Sequence, residues 1–231
     1  MKKTYHNISL KLLTSFFAVV CLFSADAPNS PAYAETPMIK TQAPGFYRTM
    51  VEDFEVTALS DGTNMRSVEQ QLQLLQGVKK EIRDLLVRAY PDGQIETSVN
   101  VYLINTGAKL VLVDAGNGRL GSPTMGNVMT NLRAAGYQPD RIDEIYLTHM
   151  HADHVGNLVS GTERAFPNAT VYANKTEAEY WLSDSNLTAT PDAAKRTFQA
   201  AKATIMLLGA SFVGRNAGFF LFRRGGDIQT A

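Results

Sequence analysis

An α/β layered fold is predicted by three features of this sequence: apolar runs of strand length, intervening segments with apolar residues at helical spacing, and turn residues between them. The first strand is "DFEVTALSDG", which alternates and closes on an Asp61-Gly62 turn. Residues 66–90 follow with leucines and an isoleucine at helical spacing, ended by Tyr90-Pro91-Asp92-Gly93, and those leucines are expected in the core. "SVNVYLINTG" and "KLVLVDAG" are two apolar runs parted by Thr106-Gly107-Ala108, hence a hairpin of buried strands, the second ending at Asp114.

Gly116, Gly118 and Gly121 mark a turn, and Met125, Val128, Met129 and Leu132 share one face of a helix over 124–135 that Gly136 stops. Gly116-x-Gly118-x-x-Gly121 has dinucleotide-fingerprint spacing, but no second strand ending in an acid follows at the right distance, so turn geometry is the better reading. Ile142 to Leu147 reads as a strand running into "THMHADH". "NATVYANK" is a further strand, "TEAEYWLSD" a short helix, and Pro191 to about Leu208 a longer one.

The chain has 231 residues, 45% of them apolar and 19% charged, enough for one soluble core. Lysine plus arginine (22) balances aspartate plus glutamate (22), so no global field holds a polyanion, and the expected partner is a small molecule, not nucleic acid. Met1-Lys2-Lys3, the apolar run Leu12–Phe23 and Ala32-Tyr33-Ala34 together read as a secretory signal over 1–34, cleaved before Glu35. An uncleaved membrane anchor is the alternative, because the gap between the apolar run and Ala34 is long. Cleavage removes Lys2, Lys3, Lys11 and Asp26, leaving 19 basic against 21 acidic residues and no contact with the membrane.

The mature chain is then expected in the periplasm or outside the cell. It carries no cysteine, since Cys21 is the only one, so metal ligation falls to nitrogen and oxygen. Residues 35–50, with Pro37, Pro44 and Gly45, read as a loose leader to a domain over 51–231 in which order begins near Phe54.

Three of the four histidines lie in residues 149–154. In an extended segment, His149 and His151 point the same way and can close on one ion. A helix starting near Asp153 would set the Asp153 carboxylate and the His154 imidazole beside them, for a neighbouring ion. Such donors suit zinc, with manganese, iron or cobalt open. Two ions on the order of 3.5–4 Å apart can share a water, bring its pKa towards neutrality and present hydroxide to an electrophile, with Asp153 orienting it or carrying a proton. Asp114 has two open readings, an acceptor that orients a ligand histidine or an ordinary strand-end cap.

Thr148-His149-x-His151-x-Asp153-His154 resembles the signature of the metallo-β-lactamase superfamily, and the resemblance extends through "DFEVTALSDG", "ETSVNVYLINTGAKLVLVDAG" and "NLRAAGYQPDRIDEIYLTHMHADHVGNL". These stretches are similar to the secreted branch of methyl parathion hydrolase and lactonase-like enzymes. The resemblance implies an αβ/βα sandwich, a first zinc on His149 and His151, a second on Asp153 and His154, and a strand-end place for Asp114 near the site. Histidine at 151 sets the chain apart from the diiron flavoprotein relatives, which use glutamate there.

The superfamily completes its two metal spheres with a later histidine, a bridging aspartate and a final histidine. No histidine follows His154, and nothing marks Asp227 as the bridging acid. The expectation is therefore the N-terminal half of the sandwich only, with fewer than two ions bound and self-association through the open half and Phe219-Phe220-Leu221-Phe222. Two functions compete: a zinc-dependent hydrolase of a small ester, lactone or phosphotriester impaired by the missing half, and an inactive remnant that binds metal or a partner. A nuclease, also found in the superfamily, fits neither the signal nor the neutral charge.

Overall fold

In the computed structural model, residues 37–208 are described except positions 42, 76, 78, 121 and 122, together with the backbone of 219–222. The expected signal segment, Cys21, Gly121 and Asp227 lie outside the described residues. Seven strands form one mixed sheet in the order β1-β2-β3-β4-β5-β8-β9. They are β1 (Phe46–Val51), β2 (Phe54–Ser67), β3 (Gln94–Asn105), β4 (Leu110–Val113), β5 (Glu144–Tyr146), β8 (Thr170–Asn174) and β9 (Phe219–Phe222). The first four pair antiparallel, β4, β5 and β8 run parallel, and β9 returns antiparallel on β8. A two-stranded ribbon, β6 (Val159–Ser160) with β7 (Glu163–Arg164), stands apart.

Between the strands lie α1 (Val68–Leu74), α2 (Lys79–Ala89), α3 (Val128–Ala134), α4 (Ala152–Val155), α5 (Lys175–Leu182), α6 (Asp184–Ala189) and α7 (Asp192–Leu207). Among the described residues no helix is long and apolar enough to cross a membrane. The core forms where one sheet face meets helices: Leu103, Leu112, Ile145 and Val171 from the strands pack in one cluster with Leu132 of α3 and Phe198 and Ile205 of α7. Alternation along the strands leaves Tyr102 and Tyr146 exposed on the other face.

Order begins earlier than the sequence suggests. Phe46–Val51 is a strand, because Ala43–Gly45 reaches the sheet: Ser60 donates its N–H to Gly45 O at 2.8 Å, and Gly45 donates to Asn131 Oδ1 at 2.8 Å. Nor does β2 stop at Asp61-Gly62. The pair is a bulge inside a long strand, where the register shifts between Ser60 and Gly62 and Gly62 takes φ 128°. A methyl on Gly62 would lie 1.9 Å from Thr124 O, so only glycine lets the next loop dock here.

The leucines of 66–90 also differ from expectation. Leu72, Leu74, Leu85 and Leu86 fall on two helices with Leu75 between them, and among the described residues of this stretch Val68 and Leu72 of α1 are the buried ones, against Ile95, with Ile82, Leu86 and Tyr90 half-covering them. Leu74 and Leu85 are exposed. The reason is position: α1 and α2 cover the far end of the β2–β3 hairpin, beyond the reach of the main core. The helix predicted from Thr124 begins at Val128, since Thr124 to Asn127 is tied to β2 instead.

Ile145→Ala, in the middle of the sheet and fully buried, is expected to lower unfolding free energy by about 2–5 kcal/mol. Tyr102→Ala on the open face should cost much less, and urea denaturation of the two variants checks the difference.

Candidate metal centre

Strand β5 lies between two parallel neighbours, and at its C-terminal end the ladder closes on both sides: Asp114 N–H donates to Tyr146 O at 2.9 Å and Leu147 N–H to Tyr172 O at 2.8 Å. The candidate site begins where this ladder stops. Asp114 ends β4 with φ 65°, a left-handed conformation that aspartate tolerates better than most residues. The turn folds its carboxylate over the end of β5. There it accepts the Thr148 N–H at 2.8 Å on Oδ1 and the Thr148 hydroxyl at 2.9 Å on Oδ2, and it lies 2.8 Å from His154 Nδ1. An ionised carboxylate only accepts, so His154 Nδ1 carries the proton and Nε2 faces the site. Asp114 thus occupies both places left open for it, at the strand end and against a candidate ligand.

Residues 147–151 do not extend the strand, yet the side chains still sort. Met150 is fully buried, and His149 and His151 flank it on the accessible side. His149 Nε2 and His151 Nδ1 face each other at 3.1 Å. Helix α4 then opens with His151 as its N-cap residue and carries Asp153 and His154. The ring centroids of His149 and His154 are 3.9 Å apart, and His154 Nε2 lies 3.5 Å from Asp153 Oδ2. All four donors named from the sequence therefore sit on one turn of chain.

The loop after β4 locks this turn from behind. Ala115 donates to His154 O at 2.9 Å and Asn157 to Gly116 O at 3.2 Å. A methyl on Gly156 would lie 2.0 Å from Asn117 O, so the contact demands glycine. Asp61, fully buried at the β2 bulge, fixes the loop in turn, accepting the N–H of Asn117 at 2.8 Å and of Val128 at 3.4 Å. Burial raises the Asp61 pKa, against the lowering effect of those backbone donors.

The charges are not uniform across the cluster. Burial, then the neighbouring His154 and His151, lower the His149 pKa, which keeps its lone pair available at neutral pH. Burial also opposes the charging of His154, but hydrogen bonds to Asp114 and Asp153 outweigh it and push its pKa up to about 9. The same His154 contact holds the Asp153 carboxyl below its ordinary range.

Do these residues fit a metal ion? Two nitrogens bound to one tetrahedral zinc at about 2.0–2.1 Å lie roughly 3.3 Å apart, so His149 Nε2 and His151 Nδ1 have the spacing of a chelating pair. His154 Nε2 and Asp153 add donors of the right type beside them. As placed, however, no three His, Cys, Asp or Glu among the described residues form a group that could hold an ion. The fit is one of donor chemistry and of one ligand pair. The rings meet each other where an ion would stand between them.

Beside His149 and His151 opens a cavity of about 820 Å³, whose walls include Glu177, Tyr180, Trp181 and Phe198. Trp181 meets the edge of His151 at a centroid distance of 5.3 Å and packs on Phe198 at 4.8 Å. Asp61, Glu177 and Trp181 carry no mark of this site in the sequence, apart from the spacing Asn174-x-x-Glu177-x-x-x-Trp181 at a helix start for the last two.

Residues 95–221 match the model of the metallo-beta-lactamase superfamily. Two solved structures are similar over most of the chain. One is the hydrolase AbOPH of the beta lactamase superfamily, 33% identical, covering 72% of this chain and 57% of that one with a TM-score of 0.62. The other is AidC, a dizinc quorum-quenching lactonase, 26% identical, covering 71% of this chain and 58% of that one, also with a TM-score of 0.62. The chain thus spans less than two thirds of the length of either. No curated protein matches it.

A chelator-treated sample should show the His154 charge in its stability. With a folded pKa near 9, above the ordinary 6.5, the contribution is complete below about pH 6.5 and lost as pH rises through 9. Partial exposure reduces it to about 2 kcal/mol. Denaturation across pH 6–10 measures the slope, which Asp114→Asn should flatten.

Proposed function

We propose that this chain, which belongs to the metallo-β-lactamase superfamily, is a zinc-dependent hydrolase of a small-molecule ester, lactone or phosphotriester. The observation that carries the proposal is the facing pair His149 Nε2 and His151 Nδ1 at 3.1 Å, with His154 oriented beside them by Asp114. A hydrolase and a dizinc lactonase among the structural relatives support the reaction class and the metal. Export through the signal segment, into the periplasm or beyond, belongs to the same proposal.

In this reading His149 and His151 would hold one ion, and Asp153 and His154 a second. The bound metal supplies Lewis acidity and a water acidified towards neutrality. The chain's own groups do the rest. Asp153 would orient the attacking water or take up its proton. His154 must release its Nε2 proton before it can bind metal, so affinity should rise with pH up to about 9. Tyr180, Trp181 and Phe198 line the cavity beside the histidines and suit a substrate with an apolar acyl or aryl arm.

A second reading, metal binding without turnover, is favoured by the lack of a three-donor group among the described residues. Metal analysis and hydrolysis assays on the purified chain separate the two. About two ions per chain with lactone or phosphotriester turnover supports the hydrolase, whereas less than one ion and no turnover supports the binding protein. In either case His151→Ala should lower metal retention at least tenfold in competition with a chelator. Unchanged retention would show that the ligand assignment is wrong. Where turnover is present, Trp181→Ala should raise KM for a long-chain substrate more than for a short one.

A further inference from the structure

One carboxylate oxygen joins the candidate metal centre to the cavity wall. Glu177 Oε2 accepts the backbone N–H of Met150 at 3.0 Å and the indole N–H of Trp181 at 2.9 Å. Met150 lies between the two facing histidines, so the first contact fixes the peptide that joins His149 to Met150. Trp181 stands one helical turn beyond Glu177 on α5 and meets His151 edge-on. We infer that Glu177 is a positioning residue, which sets the spacing of the His149–His151 pair and the orientation of the Trp181 wall as one unit. The inference rests on the metal-hydrolase reading and deepens it, since it ties metal affinity to the surface that meets substrate.

Residues 147–151 carry no regular pairing beyond Leu147: Thr148 is tied to Asp114 and lies 3.1 Å from His149 Nδ1, the His151 carbonyl caps α4, and the peptide between the two histidines is held by the buried Met150 side chain and by whatever binds the Met150 N–H. Glu177 is the group that binds it. A chelating pair tolerates errors of only about 0.5 Å, and one anchored peptide between the two ligands suffices to set it. Lastly, a glutamate in the first turn of a helix is favoured there by the dipole, but that preference is met with the side chain in water. Here it turns inward and accepts two hydrogen bonds on one oxygen, which a dipole effect does not require.

Trp181 is the chain's only tryptophan, so its emission reports this unit directly. Three variants of the full chain separate the contact from the charge. Glu177→Gln keeps an acceptor oxygen at the same reach, Glu177→Asp keeps the charge but is one methylene shorter, and Glu177→Leu removes both. Cobalt(II) titration followed by Trp181 quenching should give a Kd within about threefold of wild type for Glu177→Gln and weaker by about 10–100-fold for the other two. Hydrogen exchange at the Met150 amide should be slow in wild type and Glu177→Gln and at least tenfold faster in Glu177→Asp and Glu177→Leu, with metal or without it. If Glu177→Leu fails to fold, Glu177→Asp decides the matter.

The inference is overturned if Glu177→Asp binds cobalt within twofold of wild type with unaltered Met150 exchange. It is equally overturned if Glu177→Gln is as weak as Glu177→Asp, since charge or bulk would then be at work and not the placed oxygen. Wild type that binds no cobalt at all defeats the hydrolase reading. Met150 exchange, which needs no metal, then still decides the role of Glu177.

Discussion

The Asp114 carboxylate is the contact on which the site depends. Three donors converge on it, the backbone N–H and hydroxyl of Thr148 and the His154 imidazole, and each comes from the chain that leaves β5. The sheet places it there, because β4 and β5 are parallel neighbours and end side by side. A carboxylate at the end of one strand can then take up the first unpaired N–H of the next. The strained φ of Asp114 turns the side chain inward, and hydrogen bonds to a buried anion more than offset a backbone cost of order 1–3 kcal/mol.

A second carboxylate performs a similar task one layer further back. Asp61 sits in the β2 bulge and accepts N–H groups from the loop that follows Asp114, and that loop packs on the helix carrying Asp153 and His154. Close approach is possible because Gly62, Gly116 and Gly156 have no side chains at the points of contact. A glycine and a buried acid thus form a pair of devices: one removes bulk so that backbones meet, and the other satisfies the N–H groups that the meeting leaves without partners. Asp114 and Glu177 bind the chain between Thr148 and Gly156 directly, and Asp61 acts on it through the loop that packs against it.

Electrostatically the cluster is divided. His149 is held neutral by burial and by its neighbours, whereas His154, between two carboxylates, favours its charged form. A cation entering this turn finds one imidazole with its lone pair ready and another that must first lose a proton. Metal binding through these two imidazoles would therefore be linked to proton release. The aromatic wall beside it, with Tyr180, Trp181 and Phe198, provides the opposite environment, apolar and low in charge.

How much of this was legible in the sequence follows from distance along the chain. The α/β alternation, the β3–β4 hairpin, the long helix after Pro191 and the four donor groups in 149–154 are all stated by contiguous residues, through periodicity and the rarity of clustered histidine. What the sequence did not state lies in contacts between segments far apart. Asp61 looked like half of a turn because its partner Asn117 is 56 positions away, and Glu177 was silent because Met150 is 27 positions away. The leucines of 66–90 had helical spacing, but spacing cannot tell a helix over the main core from one over the tip of a hairpin. The sequence by itself determined the donor chemistry and the order of elements. Only the tertiary structure decided which acids hold the site, since long-range pairing depends on where the sheet brings strand ends together.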